Sequence, residues 1–238
     1  MNNPLPLSSV VRIQTARTTL LLDHLFFGTL LFRMGAQPRS SIATMATDGV
    51  SLHFNPLFVE TLSAAEIAGT LAHEVMHPAL QHHTRRGGRN PRRWNMACDY
   101  AINPMLLDAG LTLPKDVLLD NRFRGMSAER IYNLLEEEEQ NPSSSSADTE
   151  SQDDSADSGG GSSSSESKDI DETRAPQTPG GIGQVLDAPE PENGEGNTVA
   201  AQARDWQIAV GQAENVAKLA GKCPSESRAA GGRSIAAR

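Results

Sequence analysis

Ser63-Ala64-Ala65-Glu66-Ile67-Ala68-Gly69-Thr70-Leu71-Ala72-His73-Glu74-Val75-Met76-His77 opens with a helix-start signature and closes on a metal-ligand spacing. Ser63 followed three residues later by Glu66 is a capping box, which predicts a helix starting at about Ala64. Ile67, Leu71 and Val75 recur at helical spacing, so one side of this helix is expected to be buried, with the histidines projecting from a neighbouring side. Positions four apart on a helix nearly superpose in angle. His73 and His77 can therefore aim two imidazoles at one cation, while Glu74, one step around, stays close without ligating. With 6 His in 238 residues, H-E-x-x-H arises by chance in on the order of 1 in 100 chains before any helix is required. Here the capping box and the periodicity supply that helix independently. The expected chemistry is hydrolytic: Zn2+ lowers the pKa of a bound water to about 7, and Glu74 acts as general base.

Three residues compete as third ligand. If the helix simply continued, His82 would point about 180° from His73 and His83 about 80° off on the other side. Pro78 is expected to kink the helix near its end, which keeps His83 in play. Asp99 is the favoured candidate, because Asn95, Asp99 and Asn103 recur every four residues on one face of a downstream helix able to pack antiparallel on the first. Asn95 and Asn103 would then orient a carboxylate or an imidazole, with capping and core hydrogen bonding the equal alternative. Cys98 lies about 100° around that helix and reads as a buried small residue. His24 and His53 read as structural or exposed.

Working outward, Ile42–Met45 and Val50–Phe54 flank Thr47-Asp48-Gly49, whose Asp-Gly favours a tight turn. Two short antiparallel strands are expected, closed by Asn55-Pro56, with Val50–Phe54 a candidate edge for a substrate backbone. Residues Ser8 to Met34 read as one helix or two short ones, broken at Gly28 and stopped by Gly35 and Pro38. Asn90 caps a helix with Pro91 at its first position, bent or ended at Pro104. Ser127 to Leu135 closes a domain spanning 8–135. The expected fold class is α+β, mainly helical with a small antiparallel hairpin.

From Glu136 to about Gln202 the chain is mostly Ser, Asp, Glu, Gly and Pro, and is expected to be a disordered acidic linker. An isolated helix at 203–221, carrying Trp206, and a disordered tail at 222–238 follow. The net charge of −9 owes much to the linker and says little about partners. The basic run Arg85, Arg86, Arg89, Arg92, Arg93 lacks interleaved aromatics, so no nucleic-acid partner is expected. Cys98 and Cys223 imply no disulfide framework. Leu20 to Phe32 is interrupted by Asp23 and His24 and too short to span a bilayer, and no signal peptide is evident. A cytoplasmic location without membrane association is the expectation.

Taken together, Ala46-Thr47-Asp48-Gly49, Asn55-Pro56, Leu71-Ala72-His73-Glu74-Val75-Met76-His77 and Trp94-Asn95-Met96-Ala97-Cys98-Asp99-Tyr100-Ala101-Ile102-Asn103 resemble a bacterial metallopeptidase domain. That domain is usually joined to a C-terminal von Willebrand factor A-like domain. Phe26-Phe27-Gly28-Thr29-Leu30 and Ala128-Glu129-Arg130-Ile131-Tyr132 fit the same pattern, and the likeness covers about Thr15 to Leu135. Leu25 departs from it, standing where a proline is common. The resemblance implies a zincin-like, zinc-dependent peptidase acting on protein or peptide substrates, often encoded beside MoxR-type AAA ATPases. It also implies that the helix around Trp206 leads into the von Willebrand-like domain. After Lys222 the sequence instead turns to polar and small residues, as expected of a truncated or frameshifted member. A metal-stabilised binding or scaffold module serving such an ATPase is the competing expectation.

Overall fold

The capping box forms as the sequence requires: Ser63 Oγ accepts from the Glu66 amide at 3.3 Å and Glu66 Oε2 accepts from the Ser63 amide at 2.8 Å. In this computed structural model, which describes residues 7–141, 182–189 and 198–221, that box starts the central helix. In chain order the helices are α1 (Leu7–Asp23), α2 (Leu25–Leu31), α3 (Pro56–Thr61), α4 (Ala64–Ala79), α5 (His82–Arg85), α6 (Pro91–Asp108), α7 (Ala128–Gln140) and α8 (Val199–Leu219), and the strands are β1 (Gly35–Pro38), β2 (Met45–Thr47) and β3 (Ser51–Phe54). The fold class is mainly helical α+β, as expected. From Ile67 to Ala79 every residue of α4 is buried. The expectation of one buried side is thus corrected, because α1, α2, α6, α8 and β2 pack around the helix. A helix enclosed all round must satisfy its polar side chains internally.

The sheet is mixed, in the order β1-β3-β2. The expected hairpin is present as antiparallel β2 and β3, with Thr47 opposite Leu52 and Met45 opposite Phe54. Its first strand begins at Met45, later than read. Asp48 Oδ1 accepts from the Val50 and Ser51 amides at 2.8 and 2.7 Å, and Gly49 takes φ +85°, so the Asp-Gly pair closes the turn. Parallel strand β1 adds to β3 at the stretch read only as a helix stop. Gly-Ala-Gln-Pro carries no strand pattern, and its pairing comes from the neighbour.

Gly28 does not break the first helical segment; the break falls at His24 and Gly28 lies inside α2. A Cβ at Gly28 would run into the backbone of Leu20 and Leu21, so this glycine lets α2 cross α1 at backbone contact. Gly28→Ala is expected to destabilise the fold by on the order of 1–3 kcal/mol through overpacking, read as a lowered denaturation midpoint.

Helix α6 runs through Pro104 to Asp108, because a proline there forfeits one hydrogen bond while Asn103, Pro104 and Leu106 remain packed. Helix α7 extends past Leu135 to Gln140, with Arg93 clasping Glu136 at 2.6 Å and Glu139 at 2.5 Å. The expected linker therefore does not start at Glu136. A second core of Trp94, Ala97, Cys98, Phe123, Ile131 and Tyr132 joins α6 to α7.

The helix expected to stand alone is docked. Trp206, Ala209, Val210, Ala213 and Ala217 of α8 are buried, in contact with α2, α4 and α5, and Trp206 Nε1 donates to Gly49 O at 2.9 Å. The packing stripe is mostly alanine, whereas Ile208, Val216 and Leu219 face outward. Residues 182–189, expected to be linker, are also part of the fold, with Ile182 in the main core. The remaining linker and tail expectations, with Cys223, lie outside the described residues. No described helix is long and apolar enough to cross a membrane.

Candidate metal centre

Helices α4 and α6 face each other through their polar residues. His73, Glu74 and His77 from α4 and Asp99 from α6 are all fully buried. His73 Nε2 lies 3.0 Å from His77 Nε2, and the two nitrogens lie 3.4 and 3.5 Å from Asp99 Oδ1. Ligands held about 2.0–2.1 Å from one ion at tetrahedral angles stand roughly 3.3 Å apart, so this triangle has the size that a single zinc-like cation needs. Asp99 Oδ1 and both Glu74 oxygens are buried without a hydrogen-bond partner. Orphaned carboxylate oxygens in a dry interior are costly unless a cation or water meets them.

Neighbouring groups orient this set. His73 Nδ1 is 2.9 Å from Asn103 Oδ1, which makes that nitrogen the donor and leaves Nε2 as a lone pair facing the triangle. Asn103 is itself held, donating from Nδ2 to Leu118 O at 2.9 Å. Asn95 Nδ2 donates to Asp99 Oδ2 at 3.3 Å. Both asparagines thus sit where the four-residue spacing puts them.

Burial pushes His77 well below the usual imidazole range, with further lowering from His73, His82 and His83. It is therefore neutral, as a metal ligand must be. Burial raises Glu74 well above the usual carboxylate range, and the negative charge of Asp99 adds to this. Asp99 is also raised by burial, with His73 drawing it back.

The chain does not continue straight past Pro78. Helix α4 ends at Ala79, and Gln81 adopts a left-handed φ of +60°, which turns α5 back. His82 Nδ1 comes to 3.3 Å from His77 Nδ1, while the Trp94 indole donates to His82 O at 3.1 Å. His82 therefore approaches the far side of a candidate ligand. A second set, His77, His82 and Cys98, also brings its ligand atoms within 4.8 Å. The His77–His82 contact is satisfied as an ordinary bond between one protonated and one bare nitrogen, and burial holds the Cys98 thiol protonated. Only the set with Asp99 leaves carboxylate oxygens unanswered.

His83 lies against Gly49 instead of the triangle, with both ring nitrogens unpartnered. Burial lowers its pKa to about 4, against a smaller opposing effect of Asp48. Between about pH 6.5 and 4 the unfolded chain binds a proton that folded His83 refuses, so stability is complete above that window and falls as pH drops through it. His77 and His82 act in the same direction. The His83 share is on the order of 3 kcal/mol, and His83→Gln is expected to flatten the slope of unfolding free energy against pH.

Within the basic run Arg86 pairs with Asp187, Arg85 with Glu129 at 3.4 Å, and Arg89 lies over the Trp94 ring at 5.1 Å, while Arg92 is exposed. Sequence reasoning missed the stretch 182–189. Gly183 sits against Glu74 and His73, and Gln184 to Leu186 pair with Thr47 of β2. The available signal was Ile182, Val185 and Leu186, an aliphatic island in an acidic tract. The candidate substrate edge also moves: β3 is central, and the outer strand beside α4 is β2.

A buried helix presenting two histidines one turn apart, met by a carboxylate from a second helix, is a group of side chains that could hold a metal ion. Residues 8–230 match the family described as "Putative metallopeptidase domain", and the chain belongs to that family. No curated protein and no solved structure matches the chain.

Proposed function

We propose that the chain is a zinc-dependent peptidase in which His73, His77 and Asp99 hold the ion and Glu74 is the general base. The observation that carries this reading is the 3.0–3.5 Å triangle of donor atoms beside a buried, unpartnered Glu74. Bound there, zinc would supply a water of lowered pKa and polarise a peptide carbonyl. Glu74 takes the proton from the attacking water and delivers it to the leaving amine. Asn103 keeps the His73 ring in one tautomer, and Asn95 holds the Asp99 oxygen that faces away from the triangle. A cation held by His73, His77 and Asp99 would oppose the upward pressure that burial and Asp99 put on Glu74, favouring the ionised form that a general base needs.

The test measures metal content and cleavage of an unfolded protein, in wild type and in Glu74→Gln. One equivalent of zinc with hydrolysis that the variant loses supports the peptidase. A zinc-loaded wild type that cleaves nothing supports a metal-stabilised scaffold. Failure to take up any divalent ion ends both readings.

A further inference from the structure

The stretch 182–189 passes over the candidate metal centre. Its backbone adds to the outer edge of β2: the Thr47 amide donates to Gln184 O at 3.0 Å and the Leu186 amide donates to Thr47 O at 2.8 Å, a parallel pairing. Asn95, whose Nδ2 holds Asp99 Oδ2, also donates from it to Gly183 O at 3.3 Å and accepts from the Val185 amide at 2.9 Å. Further along, the Ala188 amide donates to His83 O at 2.9 Å, and Asp187 pairs with Arg86.

Gly183 lies so close that a Cβ there would overlap Glu74 Oε1 and press on His73. The segment offers Glu74 no hydrogen bond, and both carboxylate oxygens stay unpartnered beneath it. A purely structural crossing would be expected to satisfy the carboxylate that it covers. This one covers the base with a glycine and gives it no hydrogen bond, in a position that a substrate backbone reaches by strand addition.

We infer that residues 182–188 are an intramolecular blocking strap in a groove that takes an extended peptide along the β2 edge with a glycine over Glu74. Strap and substrate compete for Thr47 and Asn95, so the apparent affinity for a peptide is reduced by the fraction of molecules in which the strap is out. The strap also stands between solvent and the metal donors, so it slows the escape of bound metal. Its identity as a substrate mimic rests on the peptidase reading, whereas its closure over the metal donors does not.

The experiment uses the full chain loaded with zinc and two dislodging variants: Gly183→Val, which collides with Glu74, and Asp187→Arg, which reverses an exposed anchor. Zinc transfer to a chromogenic chelator is timed first. Both variants are expected to release zinc at least about tenfold faster than wild type at unchanged stoichiometry. A synthetic peptide of sequence Ile-Gly-Gln-Val-Leu-Asp-Ala, added in trans to Gly183→Val, is expected to slow the release again. The same peptide with valine in place of glycine is expected not to do so.

Cleavage of an unfolded protein is measured in parallel and is expected to rise about tenfold or more in both variants. Faster release without cleavage in any form retains the strap and removes the peptidase reading. Release rates equal to wild type in both variants, or folded variants that bind less zinc, overturn the strap.

Discussion

Glu74→Gln is expected to bind zinc as wild type does and to lose hydrolysis by about 10²–10⁴-fold, the usual worth of a positioned acid–base group. The amide is nearly isosteric, so the space beneath Gly183 stays filled and α4 keeps its packing. Glu74 makes no hydrogen bond that the change would break. The fold should in fact gain, because a buried ionisable group without a partner is replaced by a neutral one. A raised unfolding midpoint together with abolished cleavage would therefore be the signature of a residue kept for chemistry. The measurement pairs metal analysis with turnover on an unfolded protein and thermal unfolding of the metal-free forms. A variant that cleaves as fast as wild type would remove Glu74 as the base, and one that no longer binds metal would make it a ligand.

Asp99→Ala is expected to reduce zinc affinity by more than the ~10–100-fold usual for losing a hydrogen-bonded neighbour of a ligand. Asn103→Ala, which frees the tautomer of His73 and releases Leu118 O but removes no donor of the triangle, should fall within that smaller range. The argument is geometric. Asp99 Oδ1 is the donor atom that completes the triangle with the two imidazoles, and it has no other partner. In the metal-free protein the Asp99 substitution removes the acceptor of Asn95 Nδ2 and opens a cavity, so unmetallated stability should also fall. Zinc titration at fixed pH, followed by thermal unfolding with and without the ion, separates the two effects. The competing set makes the opposite forecast: if Cys98→Ala lowers affinity while Asp99→Ala does not, the ion belongs with His77, His82 and Cys98.

The features that sequence made legible are those carried by short-range chemistry. The capping box at Ser63 and Glu66, the Asn90 cap and the Asp48-Gly49 turn each rest on contacts within a few residues, and the recurrence of Asn95, Asp99 and Asn103 on the local pitch of a helix. Misread elements depended on distant partners. Strand β1 has no pattern of its own and exists because β3 offers an edge. Helix α8 hides its packing stripe in alanines, which hydrophobic periodicity weights weakly, while its larger aliphatics are exposed. The stretch 182–189 looked like the acidic tract around it, since composition averages over the three aliphatic residues that dock it.

Sequence alone determined that one helix offers two imidazoles and an adjacent carboxylate, because a four-residue separation projects side chains to nearly the same angle whatever surrounds them. Tertiary structure decided which further group joins them, where His82 and His83 go once Gln81 turns the chain, and that a glycine from more than a hundred residues downstream lies over Glu74. Angle along a helix is a local property of the backbone. Approach between helices, and the covering of a site by a remote segment, follow only from how the whole chain fills its core.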